Sequence, residues 1–329
     1  MKFFSLEDVI NAKKRIKDFV IETPLIHSEY FSKKFGFNVY FKCDFLQKVG
    51  SFKIRGVANK VLSEIEKGTK INTLVTASSG NHGIAVAYFA KILGLKSVIF
   101  VPKIGTRYKI NLMKLFDAEI IRKGEYSDDA AKYALKFSKN NNALYVHSYD
   151  DLKVIEGQAT LGLEIYNQLK NIDYVIVPVG GGGLIAGISF VLKSLNNKIK
   201  IIGIQSKNAP SVYLSLKKNK IIKVKRSKTI AEGIAVRVVG NYAFEIIKQY
   251  VDNVELVSES NIIKATLDLF KKERLLLEPT GASAFAYLYN AKIEKGSNVI
   301  VILTGRNVSN EFLHSVLFER LFSSSTRTV

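Results

Sequence analysis

Short apolar runs of strand length alternate with segments of helical periodicity along nearly the whole chain, and this alternation limits the fold more than any other feature. Strand candidates lie at 39–42, 73–77, 97–101, 119–122, 144–146, 174–179, 199–204, 254–257 and 298–303. Helical patterns lie between most of them, at 6–19, 82–93, 108–116, 128–138, 154–169, 184–195, 261–272 and 310–322. The first of these has Ser5 and Asp8 set for a capping box. Such alternation implies an α/β fold: two open, twisted, mostly parallel sheets with helices on both faces. We expect a small domain over 70–148, a discontinuous large domain over 1–69 and 149–322, and a frayed polar tail over 323–329. Ligands in such sheets bind beyond the carboxyl ends of strands, so the loops that directly follow strands are the place to look for a site.

After 73–77 comes Ser78-Ser79-Gly80-Asn81-His82-Gly83, opening a helix. Its hydroxyls, amide and free backbone N–H groups form an anion site suited to a carboxylate or a phosphate. An ordinary cap needs one such residue, not this density. After 174–179 come Gly180, Gly181, Gly182 and Gly183, again opening a helix, so that backbone N–H groups can surround a phosphate. The spacing fits neither a P-loop nor a dinucleotide fingerprint, which points to a smaller phosphate ester. The run 298–303 delivers Thr304-Gly305-Arg306-Asn307. Upstream, Glu278 is either a site carboxylate or an acid favoured at a helix start.

Lys53 lies in Gly50-Ser51-Phe52-Lys53-Ile54-Arg55-Gly56 and opens a helix whose apolar face is Ile54, Val57, Ala58, Val61, Leu62 and Ile65. A lysine held there beside an aromatic ring loses its proton more readily, as a Schiff-base amine must; a solvated lysine is the plain alternative. A reactive lysine, a glycine phosphate cup, an asparagine and a terminal hydroxyl together suggest pyridoxal phosphate.

With 329 residues, 47% of them hydrophobic, the chain can bury a sizeable core. No apolar run is long enough for a membrane span, and Met1 to Ser5 lack a signal peptide's pattern. Cys43 is the single cysteine, which excludes an internal disulfide and a thiolate metal cluster; it reads as a small core residue. A cytoplasmic protein is expected. His27, His82, His147 and His314 show no metal-ligand spacing. The net charge of +20 raises a non-enzymatic polyanion-binding protein as an alternative. The lysines are dispersed, without aromatic interleaving, so no specific nucleic-acid partner is expected.

From Thr23-Pro24-Leu25 to Asn307 the chain resembles the threonine dehydratase and serine racemase group of the tryptophan-synthase-β-like, fold type II pyridoxal-phosphate enzymes. The resemblance rests on 51–56, 78–83, Val154-Ile155-Glu156-Gly157-Gln158, 180–183 and Ala231-Glu232-Gly233, in the family's order. It implies an active site between a large and a small domain. Lys53 would carry the cofactor as a Schiff base and then take the Cα proton. Phe52 and Gly233 would flank the ring, Asn81 would bond its phenolic oxygen, Gly180 to Gly183 would hold the phosphate, and Thr304 would meet the ring nitrogen. Glu278 is assigned to the cofactor site. Ser78, Ser79, Gly80, Asn81 and His82 would bind the substrate carboxylate, with Ser79 as a second catalytic group across the ring. The small domain is expected to close over the substrate.

Departures matter as well. Gln205 and Ser211 stand where the family can hold a divalent cation with carboxylates, and Lys207 adds positive charge, so no tight metal site is expected. Val49 replaces a threonine, and Ile84 replaces a glutamine as a packing change. Arg306 replaces a glycine and either crowds the ring nitrogen or points to solvent. The resemblance implies conversion of L-threonine to 2-oxobutanoate and ammonia, with action on L-serine and serine racemase as the rival. A homodimer or homotetramer is implied. The chain stops shortly after Asn307, so a form without an isoleucine-responsive regulatory domain is expected.

Overall fold

The structure is a computed structural model that describes residues 3–103, 105, 107–225 and 228–314. Its strands are β1 (Leu25–Ser28), β2 (Asn38–Cys43), β3 (Thr73–Ala77), β4 (Lys96–Val101), β5 (Glu119–Arg122), β6 (Leu144–Tyr145), β7 (Tyr174–Pro178), β8 (Lys200–Ser206), β9 (Asn253–Val257) and β10 (Asn298–Leu303). They form a six-stranded sheet in the order β1-β2-β10-β7-β8-β9 and a four-stranded sheet in the order β5-β4-β3-β6. Every pairing is parallel except β1 with β2. The two mostly parallel sheets implied by the sequence are therefore present.

The central strand β10 shows why the sheet is parallel and doubly covered. Val299, Ile300, Val301, Ile302 and Leu303 are all fully buried. Ile300 and Ile302 join one cluster with Ile155, Ile185 and Ile188. Val299, Val301 and Leu303 join another with Phe285, Ile262 and Phe41. A continuous apolar run with both faces covered is what a buried parallel strand requires. The four-stranded sheet repeats the pattern: Leu74 and Ile99 face one cluster, while Val75, Val98 and Phe100 face another.

The helix Lys53–Glu66 sits between these layers. Ile54, Val57, Ala58 and Val61 pack in the cluster of Leu74, Ile84 and Ile99. Its back lies against the helix Leu152–Gln168, where a Cβ on Gly157 would come within 2.5 Å of the Arg55 carbonyl oxygen. Only glycine permits that approach. The first helix, Leu6–Ile16, carries the expected capping box of Ser5 and Asp8.

The sequence reading missed β1 and the short helices Glu29–Phe35, Ser211–Lys217 and Asn241–Tyr250. In β1, Ile26 and His27 are exposed, so this edge strand carries no period-two signal. The helix expected over 310–322 is described only to residue 314; its remainder and the tail 323–329 lie outside the described residues.

Candidate active site

Strands β2, β10 and β7 are neighbours and mutually parallel, so their carboxyl ends lie on one edge of the sheet. The chain leaving β2 leads to Lys53, β10 ends at Thr304, and β7 leads to the glycine run. One cavity gathers Phe52, Lys53, Gly180, Gly181, Gly182, Gly183, Gly233 and Thr304. Ser148, Tyr149, Gln158 and Thr280 also line it.

Backbone pairing seats Lys53 against the end of β10. The Phe52 N–H donates to the Thr304 carbonyl (3.2 Å) and the Arg306 N–H to the Gly50 carbonyl (2.9 Å). Ser51 and Gly305 form an antiparallel bridge between them. The Lys53 Nζ donates to the Ser148 carbonyl at 2.8 Å and lies 5.0 Å from the centre of the Phe52 ring. Burial disfavours its charged form and brings its pKa down to about 8. At pH 7 about one amine in ten is then neutral, against about one in three thousand for an ordinary lysine. Capture of a free aldehyde at Lys53 is therefore expected to quicken about tenfold per pH unit below pH 8 and to level off above it. Stopped-flow absorbance on the cofactor-free protein reads this directly; a rate still climbing tenfold per unit beyond pH 9 would contradict it.

Gly182 opens the helix Gly183–Leu195 with a φ of +98°, and no side chain caps that helix. A Cβ on Gly181 would come within 2.3 Å of the Tyr149 ring. The ring thus closes the mouth of a loop walled by backbone, and the Tyr149 hydroxyl holds it there by donating to the Val238 carbonyl (3.2 Å). His147 shapes the turn before it: its Nδ1 accepts from the N–H groups of Tyr149 and Asp150.

The second group of expected residues follows β3. The helix Asn81–Ile92 starts after Gly80 with no side-chain cap, leaving its first N–H groups available to an anion. The Ser78 hydroxyl accepts from the Gly80 N–H at 3.1 Å. His82 Nε2 donates to the Val146 carbonyl at 3.0 Å, while Nδ1 is buried without a partner among the described residues. Burial, reinforced by Lys53, brings the His82 pKa down to about 3, so the ring stays neutral. Ser78, Ser79, Gly80, Asn81, His82 and Glu278 are not among the residues lining the glycine cavity. Asn81 stands at its margin: a Cβ on Gly305 would meet the Asn81 Nδ2 at 3.0 Å. Glu278 holds Asn81 and Lys109 with its two oxygens.

The other departures have plain structural places. Arg306 points to solvent. Ile84 is buried in the cluster behind the helix start, as a packing residue would be. Gln205 is fully buried; its Nε2 donates to the Val179 carbonyl and its Oε1 accepts from the N–H groups of Val212 and Tyr213.

A strand-end site with a desolvated lysine, a backbone anion cup and a hydroxyl at the next strand end defines a class of cofactor-dependent enzymes. The chain belongs to the family described as pyridoxal-phosphate dependent enzymes, whose model matches residues 16–305. It is 37% identical to an L-threonine ammonia-lyase of Thermotoga maritima over 98% of this chain and 80% of that protein. It is 40% identical to the catabolic L-threonine dehydratase TdcB of Staphylococcus aureus strain N315 over 92% of this chain and 89% of that protein. Among solved structures it resembles a threonine deaminase from T.th., with a TM-score of 0.87 and 30% identity over 93% of this chain and 99% of that one. It also resembles maize serine racemase, with a TM-score of 0.90 and 28% identity over 98% of this chain and all of that one.

The residues present fit the family's cofactor. Thr304 and Gln158 both line the cavity, and the Thr304 Oγ1 and the Gln158 Oε1 are buried without a hydrogen-bond partner among the described residues, as groups awaiting a polar ligand would be. The glycine loop offers backbone donors where any Cβ would intrude.

Tyr149, Gln158, Ser148, Thr280 and Lys109 were given no role from sequence. Gln158 had a signal, since it lies in the quoted 154–158 motif; the others meet the site only through chain reversals.

Proposed function

We propose that this protein is a threonine dehydratase, an ammonia-lyase that converts L-threonine to 2-oxobutanoate and ammonia and also accepts L-serine. One observation carries the reading: Thr304 offers a partnerless hydroxyl in the cavity that holds Lys53, and no aspartate or glutamate lines that cavity among the described residues. The named activity of the similar ammonia-lyases and dehydratases supports it.

Pyridoxal phosphate, when bound, supplies an electron sink for charge that develops at Cα. The N–H groups of Gly180 to Gly183 would hold its phosphate, Lys53 its aldehyde, and Thr304 its ring nitrogen. The uncapped N-terminus of the helix Asn81–Ile92 would receive the substrate carboxylate. Lys53, with its lowered pKa, is suited to take the proton from Cα. A hydroxyl at Thr304 gives a protonated ring nitrogen no strong charge stabilisation, unlike a carboxylate. Charge at Cα is then best relieved by prompt departure of the β-hydroxyl. The Cα–H and Cβ–O bonds break, water leaves, and the enamine product hydrolyses to a 2-oxo acid and ammonia.

Serine racemase is the second reading, favoured by the likeness to maize serine racemase and by Ser79 in the helix-opening loop. The test measures 2-oxobutanoate from L-threonine beside D-serine from L-serine in one preparation. We expect release of the oxo acid to dominate; D-serine outpacing it would overturn the assignment.

A further inference from the structure

A buried polar cluster joins the two sheets at the margin of the cavity. Lys109 lies on the helix Arg107–Leu115, which follows β4, and Glu278 precedes the helix Pro279–Ala282 on the six-stranded side. The two are 5% and 3% exposed. The Lys109 Nζ donates to the Glu278 Oε2 at 2.6 Å. The other carboxylate oxygen, Oε1, accepts from the Asn81 Nδ2. On its far side, the Asn81 Oδ1 accepts from the Asn307 Nδ2 at 2.9 Å, and Asn307 also donates to the Val49 carbonyl at 2.9 Å. The Glu232 carboxylate lies 4.0 Å from the same ammonium.

The chemistry of these partners fixes which way the Asn81 amide points. A carboxylate only accepts and the Asn307 amide nitrogen only donates, so Asn81 must turn its nitrogen to Glu278 and its oxygen to Asn307. A carboxylate this buried needs a cation beside it, and Lys109 is that cation. Without Lys109 the Glu278 carboxylate would lose the partner that holds its second oxygen, and the seat it gives the Asn81 amide would loosen. The amide nitrogen so fixed lies beside Gly305, together with the Glu278 Oε1 that it bonds, and Gly305 directly follows Thr304, which lines the cavity.

We propose that Lys109 is a positioning residue for the active site: through Glu278 it seats the Asn81 amide nitrogen beside Gly305, next to the cavity residue Thr304. The role rests on the pyridoxal-phosphate reading above. It also ties the seat of Asn81 to the placement of the helix Arg107–Leu115, because the pair spans both sheets.

Lys109→Met, Lys109→Arg, Glu278→Gln and the double variant Lys109→Met/Glu278→Gln test it in the full chain with pyridoxal phosphate. The readouts are the cofactor's absorbance band, its dissociation constant, the thermal midpoint, and kcat and KM for L-threonine. Lys109→Met is expected to shift the band, to weaken cofactor binding about tenfold and to lower kcat more than it changes KM. Lys109→Arg should keep the band. The double variant should regain thermal stability, since no buried charge is left unpaired, yet keep the altered band and low kcat. Should Lys109→Met not fold, Glu278→Gln, which keeps the side chain's shape, carries the same expectation. A double variant that recovers band and kcat along with stability would reduce Lys109 to a structural role. A Lys109→Met protein with the native band and affinity would overturn the proposal outright. A native protein that develops no band overturns the functional reading itself, and this role with it.

Discussion

Lys53→Ala is expected to lower kcat for L-threonine by on the order of 10⁴-fold or more, while leaving the fold and its thermal midpoint close to native. The size follows from two things: Lys53 is the only lysine lining the cavity among the described residues, and the proposed function makes it the base for the Cα proton. No neighbour can stand in. Lys109 is nearby in the fold, but its ammonium is buried against Glu278; burial alone would lower its pKa, yet the carboxylate raises it above the ordinary lysine value. The stability expectation follows from the half-buried place of Lys53, whose ammonium donates to the Ser148 carbonyl. Removing a desolvated ammonium relieves a cost as well as losing that bond. Steady-state assay, borohydride trapping and the absorbance band together check the expectation. A Lys53→Ala protein that is trapped by borohydride, or that retains more than a hundredth of native kcat, would contradict it.

Arg55→Met is expected to cost stability, about 3–5 kcal/mol. Arg55 is fully buried two residues after Lys53 and pairs with two carboxylates that are also buried. Its Nη2 meets the Asp44 Oδ1 at 2.7 Å and its Nη1 meets the Glu164 Oε1 at 2.6 Å, with the Nε on the Asp44 Oδ2 at 2.9 Å. Lys42, equally buried, shares Glu164 at 2.7 Å. Burial by itself would raise the Asp44 pKa, but the Arg55 charge more than offsets this and holds it below the ordinary carboxylate value. Losing Arg55 strands Asp44 without its cation, and the fork geometry means Arg55→Lys recovers only part of the loss. By contrast Arg15→Met, which breaks a pair with the half-exposed Glu66, should cost about 1 kcal/mol or less. Denaturant midpoints of the three variants decide the matter; an Arg55→Met midpoint equal to the native one would show that the network carries no net stability. Because these groups join the end of β2 to the helices Lys53–Glu66 and Leu152–Gln168, a loss of cofactor affinity in Arg55→Met is expected as well.

The sheet strands were legible wherever a continuous apolar run met polar ends. The runs 73–77 and 298–303 coincide with β3 and β10, because burial on both faces favours a nearly continuous apolar run; 119–122 coincides with β5, an edge strand whose half-buried Ile120 and Ile121 lie between exposed Glu119 and Arg122. β1 was invisible for the opposite reason: it is a short edge strand with exposed Ile26 and His27. In the site, Lys53 and the glycines were legible because each breaks a local rule, a cation opening a helix or four residues without side chains after a buried strand. Tyr149, Thr280 and Lys109 break no local rule, and their neighbours in sequence say nothing of what they touch.

The amino-acid sequence alone determined most of the segments that become strands and helices, and that two helix starts follow strands with bare backbone donors. These properties follow from side-chain period and from the absence of Cβ atoms, which are local. Only the tertiary structure decided that Thr304 faces the cavity of Lys53, since that depends on β10 inserting between β2 and β7 and on the backbone pairing of Phe52 with Thr304. The same holds for the Asn81 amide, whose orientation is set by Glu278, Lys109 and Asn307 from remote parts of the chain. Such contacts are set by how buried layers pack and by which charges must be paired once water is excluded, and neither is written in any one segment.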